Sequence, residues 1–245
     1  MTWKVNFRVF RFKQDDNPPH YDTFTVEIEP DESVLDGVER IWAFQDRSLV
    51  FRHFCHHAGC GSCAMRVNGV EKLACVTWIK DVTTDGGTIT VEPLRNFPLI
   101  SDLAVDVAPL FNRLQEIDLP TLRKSQPFGE PADFTRFEDC LECGACISAC
   151  PAMSASDDYL GPAALAAIER LVAEPRGHDV NSLLHLADQA DGCWRCDSAY
   201  ECTEVCPYEV NPAQAIMRLR WKLIVEKLKR LVGQSSLYQA DSPQE

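Results

Sequence analysis

The residues able to do chemistry in this chain are its thiols. Cys55, Cys60, Cys63 and Cys75 are spaced C-x4-C-x2-C-x11-C within "CHHAGCGSC" and the segment after it. The first three match the plant-type ferredoxin spacing for a 2Fe–2S cluster, with a fourth thiolate further along. A loop around a small anionic cluster must turn backbone N–H groups towards sulfur, in conformations that side chains obstruct. Gly59 and Gly61, on either side of Cys60, are expected to supply that freedom. A four-cysteine zinc site is the competing reading, but zinc sites usually pair two short C-x2-4-C knuckles.

Residues 140–151, "CLECGACISACP", give C-x2-C-x2-C-x3-C-P. In this bacterial ferredoxin run the fourth cysteine serves the other cluster of a pair. The later stretch "CWRCDSAYECTEVCP" (193–207) ends in the same C-x3-C-P. Exchanging fourth ligands assigns Cys140, Cys143, Cys146 and Cys206 to a 4Fe–4S cluster. Cys150 then joins thiols of the later run. That run is irregular, because Ala199 stands where a middle cysteine would fall. Cys150, Cys196 and Cys202 suit a 3Fe–4S cluster; Cys193 is either a fourth ligand making a second 4Fe–4S cluster or a spare buried thiol.

Other chemistry is sparse. No nucleophile–base pair or phosphate loop is evident. His53, His56 and His57 flank the first thiol loop as surface or supporting residues, since a Rieske centre pairs histidine and cysteine differently. The net charge of −13 argues against nucleic acid, whose phosphates demand Lys and Arg. Twelve cysteines without a signal-peptide pattern indicate a reducing, cytoplasmic setting, where clustered thiols serve metal or redox chemistry. No apolar run is long enough to span a bilayer.

The elements that must position these thiols fall into two groups. Strands are expected at 5–12, 22–29 and 87–94, and a hairpin at 64–78 turning on Asn68-Gly69. Residues 33–46 carry Val34, Leu35, Val38, Ile41 and Trp42 on one helical face, with Ser33 as N-cap. Trp3, Trp42 and Trp78 are assigned to core or interface. Helices are expected at 101–116, 161–174, 181–190 and 211–232, and a proline-rich linker at 118–133. Pro162 and Pro212 sit where a first helical turn accepts proline. A loose tail follows from Gly233. The last helix concentrates Arg218, Arg220, Lys222, Lys227, Lys229 and Arg230, read as a solvated face or as a docking face for an anchor subunit or anionic lipid.

With these motifs in order, the sequence resembles the iron–sulfur subunit of the succinate dehydrogenase/fumarate reductase family over almost its whole length. "VEPLRNFPLISDLAVD" (91–106) is similar to the family's interdomain joint, and "GPAALAAIER" (161–170) to its helix after the second motif. The resemblance implies an α+β chain. A β-grasp 2Fe–2S ferredoxin domain (1–105) precedes an α-helical domain (106–245) with 4Fe–4S and 3Fe–4S clusters. Cys196 then opens C-x5-C, leaving Cys193 outside the ligand set. A flavoprotein partner with covalent FAD is also implied, with electrons passing from it to quinone. So is a membrane anchor that often holds haem, which would keep the chain peripheral on the cytoplasmic face of the inner membrane.

The pattern departs from the family at the quinone side. Pro151 is kept, but "AMSAS" follows without a tryptophan, and Asp197 occupies a histidine position. Pro151, Trp194 and Asp197 are the candidate residues there. The reading expected is succinate oxidation, with quinol-driven or thiol-driven fumarate reduction as alternatives. The alternative of a different class is a zinc-stabilised interaction module.

Overall fold

The computed structural model describes residues 1–14, 18–117, 139–173 and 179–232. It divides into two compact units, Met1–Ala108 with Leu141–Ala149, and Pro109–Cys140 with Cys150–Glu245. The expected linker at 118–133 and the tail from Gly233 lie outside the described residues.

In the first unit, β1 (Trp3–Arg11) pairs antiparallel with β2 (His20–Ile28) and parallel with β5 (Thr88–Glu92). β3 (Ala64–Val67) and β4 (Val70–Leu73) complete a mixed sheet in the order β2-β1-β5-β3-β4. Alternation decides which face is buried: Val5, Phe7 and Val9 of β1 are wholly enclosed, and so are Ile89 and Val91 of β5. Asn68 and Gly69 both take positive φ (52° and 84°), the geometry of a two-residue hairpin turn between β3 and β4.

Helix α1 (Val34–Phe44) covers the sheet with Val34, Leu35, Val38 and Ile41. Its start is fixed by a reciprocal cap, in which the Ser33 side chain accepts from the Asp36 N–H and the Asp36 carboxylate accepts from the Ser33 N–H. Trp42 departs from the expected inner face. It is 39% exposed, with the Arg47 guanidinium 4.4 Å from its ring centre. Trp78 is also exposed, whereas Trp3 packs against the core. A short helix α2 (Ile79–Val82) precedes β5.

The helix expected over 101–116 begins later. Leu99–Ser101 (β6) and Ala104–Val105 (β7) form a hairpin, and helix α3 runs only from Ala108 to Glu116. The cause is Asp102, at positive φ (46°) in the turn with its side chain fully buried. Its carboxylate accepts hydrogen bonds from Arg11, Lys13 and the N–H groups of Phe12 and Val50. A helix here would forfeit these bonds and strand a buried charge.

Helix α4 (Ala145–Ala149) also belongs to the first unit. Buried Ser148 donates to Glu71 Oε1 at 2.7 Å, and the Asn96 side chain donates to the carbonyls of Ile147 and Ser148.

The second unit is helical: α5 (Pro151–Ala155), α6 (Gly161–Ala173), α7 (Val180–Asp188), α8 (Glu201–Glu204) and α9 (Pro212–Leu231). α6 is buried nearly all round, as its Ala-rich sequence allows, and packs against α7 and α9. Asp179 caps α7 and Asn211 caps α9, with Pro212 in its first turn.

Candidate metal centres

The first thiol group lies in the loop between α1 and β3 and in the turn after β4. Cys63 and Cys75 are buried, and Cys55 and Cys60 half-buried. The Ala58 N–H donates to Cys75 Sγ at 3.3 Å and the Gly59 N–H to Cys55 Sγ at 3.2 Å. Hydrogen bonds to Ser62 first, and to Cys55, hold the Cys60 thiol down at about 6, while burial pushes Cys63 up to about 12. A cationic centre is what would let the buried thiol ionise beside its neighbours.

The loop's left-handed positions are His56, Ala58 and Gly61. Gly59 is not among them; its part is the N–H given to sulfur. At Gly61 (φ +70°) a Cβ would lie 2.8 Å from Cys143 Cβ and 2.9 Å from the Leu141 carbonyl oxygen, so only glycine fits. Leu141 and Cys143 of the second cysteine run are thus packed on the first loop, within the same unit.

Cys143 and Cys146 lie in the first unit, Cys140 and Cys206 in the second. Cys146 lies within α4, whose Ser148 and Ile147 are held by the bonds to Glu71 and Asn96. Cys206 Sγ accepts from the Val210 N–H at 3.4 Å. Grouping these four thiols rests on their spacing in the sequence.

Cys150, Cys196 and Cys202 gather around Tyr159. Burial pushes the Cys202 thiol up to about 12, with the charges of Cys150 and Cys196 adding to it. Cys150 is raised too, by burial first and then by Cys196 and Asp197. Tyr159 is wholly buried, and burial followed by the charges of Cys196, Cys150 and Cys202 raises its pKa. Its hydroxyl lies near Cys196 yet makes no hydrogen bond of good geometry. An orphaned buried hydroxyl facing three thiols suits a sulfide-rich group, which would accept its proton.

Cys193 is also buried, and its thiol is pushed up to about 11 by burial. The charges acting on it are those of Arg220, Asp188 and Lys227.

The 193–198 segment is held by a residue read from the sequence only as part of a basic face. Arg220 donates to the carbonyls of Cys193 (2.8 Å) and Trp194 (3.2 Å), to the Cys196 carbonyl and to Ser198 Oγ. Arg218 pairs with Glu169, Lys227 with Asp188 and Lys229 with Glu226, so much of the basic charge on α9 serves internal contacts. The signal available in the sequence was one arginine directed at loop carbonyls, which spacing alone does not distinguish from a solvated one.

None of the twelve cysteines is joined in a disulfide. A zinc site would bring thiolates to about 3.8 Å from one another. Among the described residues, the group of three side chains close enough to share a single ion contains no cysteine; it is Glu39, His53 and His56. The wider cysteine groups, with backbone N–H donors on sulfur, fit multi-iron clusters. The candidate quinone-side residues Pro151, Trp194 and Asp197 are all exposed, and the Trp194 indole N–H donates to Asp188. No helix among the described residues is long and apolar enough to cross a membrane.

Comparison with known proteins agrees with this arrangement. Residues 6–112 match a 2Fe-2S iron-sulfur cluster binding domain, and residues 136–210 a 4Fe-4S dicluster domain. A fumarate reductase iron-sulfur subunit from Mycobacterium tuberculosis is 34% identical over 95% of this chain and 98% of its own length. The Haemophilus influenzae fumarate reductase iron-sulfur subunit is 33% identical over 86% of this chain and 90% of its own. Among solved structures, a chain of the Mycobacterium smegmatis Sdh1 complex in the apo form superposes with a TM-score of 0.81 at 27% identity, covering 93% of this chain and 98% of that one. The mixed-sheet unit is accordingly a 2Fe–2S ferredoxin domain, followed by a helical dicluster domain. The chain belongs to the family of iron–sulfur subunits of the fumarate reductase/succinate dehydrogenase oxidoreductase complexes.

Proposed function

We propose that this chain is the electron-transfer subunit of a succinate:quinone oxidoreductase, linking the FAD of a flavoprotein subunit to quinone at a membrane anchor. Cys55, Cys60, Cys63 and Cys75 would hold a 2Fe–2S cluster. Cys140, Cys143, Cys146 and Cys206 would hold a 4Fe–4S cluster, and Cys150, Cys196 and Cys202 a 3Fe–4S cluster. When bound, these clusters supply one-electron carriers whose potentials follow cluster type, burial and hydrogen bonds to sulfur.

The protein's own part is positional. The N–H groups of Ala58 and Gly59 are turned onto the sulfurs of Cys75 and Cys55. Arg220 fixes the carbonyls around Cys196, and the unpartnered Tyr159 hydroxyl would be available to donate a hydrogen bond to a sulfide-rich group held there. Exposed Pro151 and Asp197 each follow a thiol of that terminal group, the side proposed to face quinone. Domains of 1–105 and 106–245 and a peripheral position on the cytoplasmic face, held by an anchor that can carry haem, belong to the same reading.

The observation that carries the proposal is the gathering of Cys150, Cys196 and Cys202 about the orphaned Tyr159 hydroxyl, with Cys193 under other charges. It supports a three-thiolate end to the chain. A quinol:fumarate direction is favoured instead by the names of the M. tuberculosis and H. influenzae relatives. The complex purified from membranes tests both. It should contain a flavoprotein and an anchor, and succinate should reduce its clusters and then a quinone analogue. Reduction by quinol, with fumarate re-oxidising the clusters faster than succinate reduces them, would establish the reverse direction. Isolation of the chain free of any flavoprotein would contradict the proposal.

A further inference from the structure

Glu39, His53 and His56 play no part in holding clusters, yet their donor atoms meet at one point of the first unit. His53 Nδ1 lies 3.0 Å and His56 Nε2 3.3 Å from Glu39 Oε1, and the two nitrogens are 3.1 Å apart. Four ligands at the usual 2.0–2.1 Å around zinc stand about 3.3–3.4 Å apart, and six around an octahedral ion about 2.9 Å. The observed triangle is the face that either geometry would present.

Hydrogen bonding accounts for one side of the triangle, between His53 Nδ1 and His56 Nε2, and leaves the carboxylate unexplained. Glu39 Oε1 is buried, and despite two ring nitrogens at ion-pair distance it receives no hydrogen bond. Two imidazole nitrogens and a carboxylate oxygen that crowd together without donating to that oxygen fit donors aimed at a shared third point.

The scaffold is firm where a binding site needs it. Glu39 projects from helix α1, whose start is doubly capped, and His53 stacks on Phe51 with ring centres 5.0 Å apart and planes 19° from parallel. His56 stands edge-on to His53 at 5.3 Å. The histidine side chains are 39% and 43% exposed, so an ion can enter from solvent and water can complete its shell. Two imidazoles and one carboxylate form a donor set for divalent first-row ions, distinct from the thiolate sets of the clusters.

We propose that Glu39, His53 and His56 form a binding site for a divalent first-row metal ion of the zinc type, with its remaining positions filled by water. The site uses no cysteine, so it stands independently of the cluster assignment. The test uses the cluster-loaded full-length chain, equilibrated with Zn2+, desalted, and analysed for zinc and iron together. Wild type should retain one zinc per chain, and the zinc X-ray absorption spectrum should show imidazole and oxygen neighbours without sulfur. The His53→Ala/His56→Ala variant should retain at least tenfold less zinc. Should that double substitution disturb the neighbouring cluster loop, Glu39→Gln, on the helix, gives the same comparison at unchanged iron content. Zinc retained equally by Glu39→Gln, sulfur in the zinc shell, or no zinc on wild type would overturn the site and leave the triangle an ion pair.

Discussion

At the scale of single residues, Cys193 and Tyr159 separate this account from its neighbours. Cys193 is buried, with its carbonyl held by Arg220, and stands outside the proposed ligand sets. Cys193→Ser should therefore leave the 3Fe–4S electron paramagnetic resonance signal in place, whereas Cys202→Ser should abolish it and spare the other two. Loss of the signal on replacing Cys193 would make that residue a ligand. The Tyr159 hydroxyl, orphaned among three thiols, would give its hydrogen bond to sulfur more strongly as negative charge builds there. A hydrogen bond worth about 1 kcal/mol corresponds to roughly 40 mV for one electron, so Tyr159→Phe should lower the potential of the terminal cluster by that order. Redox titration followed by paramagnetic resonance measures it, and an unchanged potential would remove Tyr159 from the account. The cysteine motifs were legible in the sequence because their spacing is local. Tyr159 and Arg220 were not, because their roles appear only when distant segments meet.

At the scale of elements, hydrophobic period and caps carried much of the fold. Ser33 opens α1, Asn68-Gly69 turns the hairpin, and α6, α7 and α9 lie close to their expected bounds. The failure over residues 101–105 has one cause. The apolar spacing there mimics a helix, while the deciding group, Asp102, draws its partners from residues 11–13 and 50. Removing it leaves Arg11 and Lys13 short of a buried counter-charge, so Asp102→Ala should cost about 3–5 kcal/mol in denaturant unfolding. Asp46 belongs to the same network. Hydrogen bonds from Arg11 first, then Ser48, lower its pKa from 3.8 to about 2. A depressed folded-state pKa gives stability that is complete above 3.8 and is lost as pH falls towards 2. The stability advantage of wild type over Asp46→Asn should shrink across that window, as read by unfolding midpoints of both proteins at each pH. An advantage that stays constant would show that the carboxylate charge is not what Arg11 binds.

At the scale of the whole molecule, a 2Fe–2S domain followed by a 4Fe–4S dicluster domain distinguishes this chain from a zinc-stabilised module, and the proposed clusters take eleven of its twelve cysteines. That a 2Fe–2S domain precedes a two-cluster domain was readable from spacing alone. That Leu141–Ala149 packs with the first hundred residues was not, since it depends on Gly61 leaving room for Cys143 and on Ser148 meeting buried Glu71. Joint analysis of non-haem iron and acid-labile sulfide on the purified complex tests the central claim most directly. Clusters of 2Fe–2S, 4Fe–4S and 3Fe–4S predict about nine irons and about ten sulfides per copy of this chain. Equal amounts of iron and sulfide near ten would show a second 4Fe–4S cluster and a fourth ligand, and zinc at several equivalents with little iron or sulfide would contradict the account altogether.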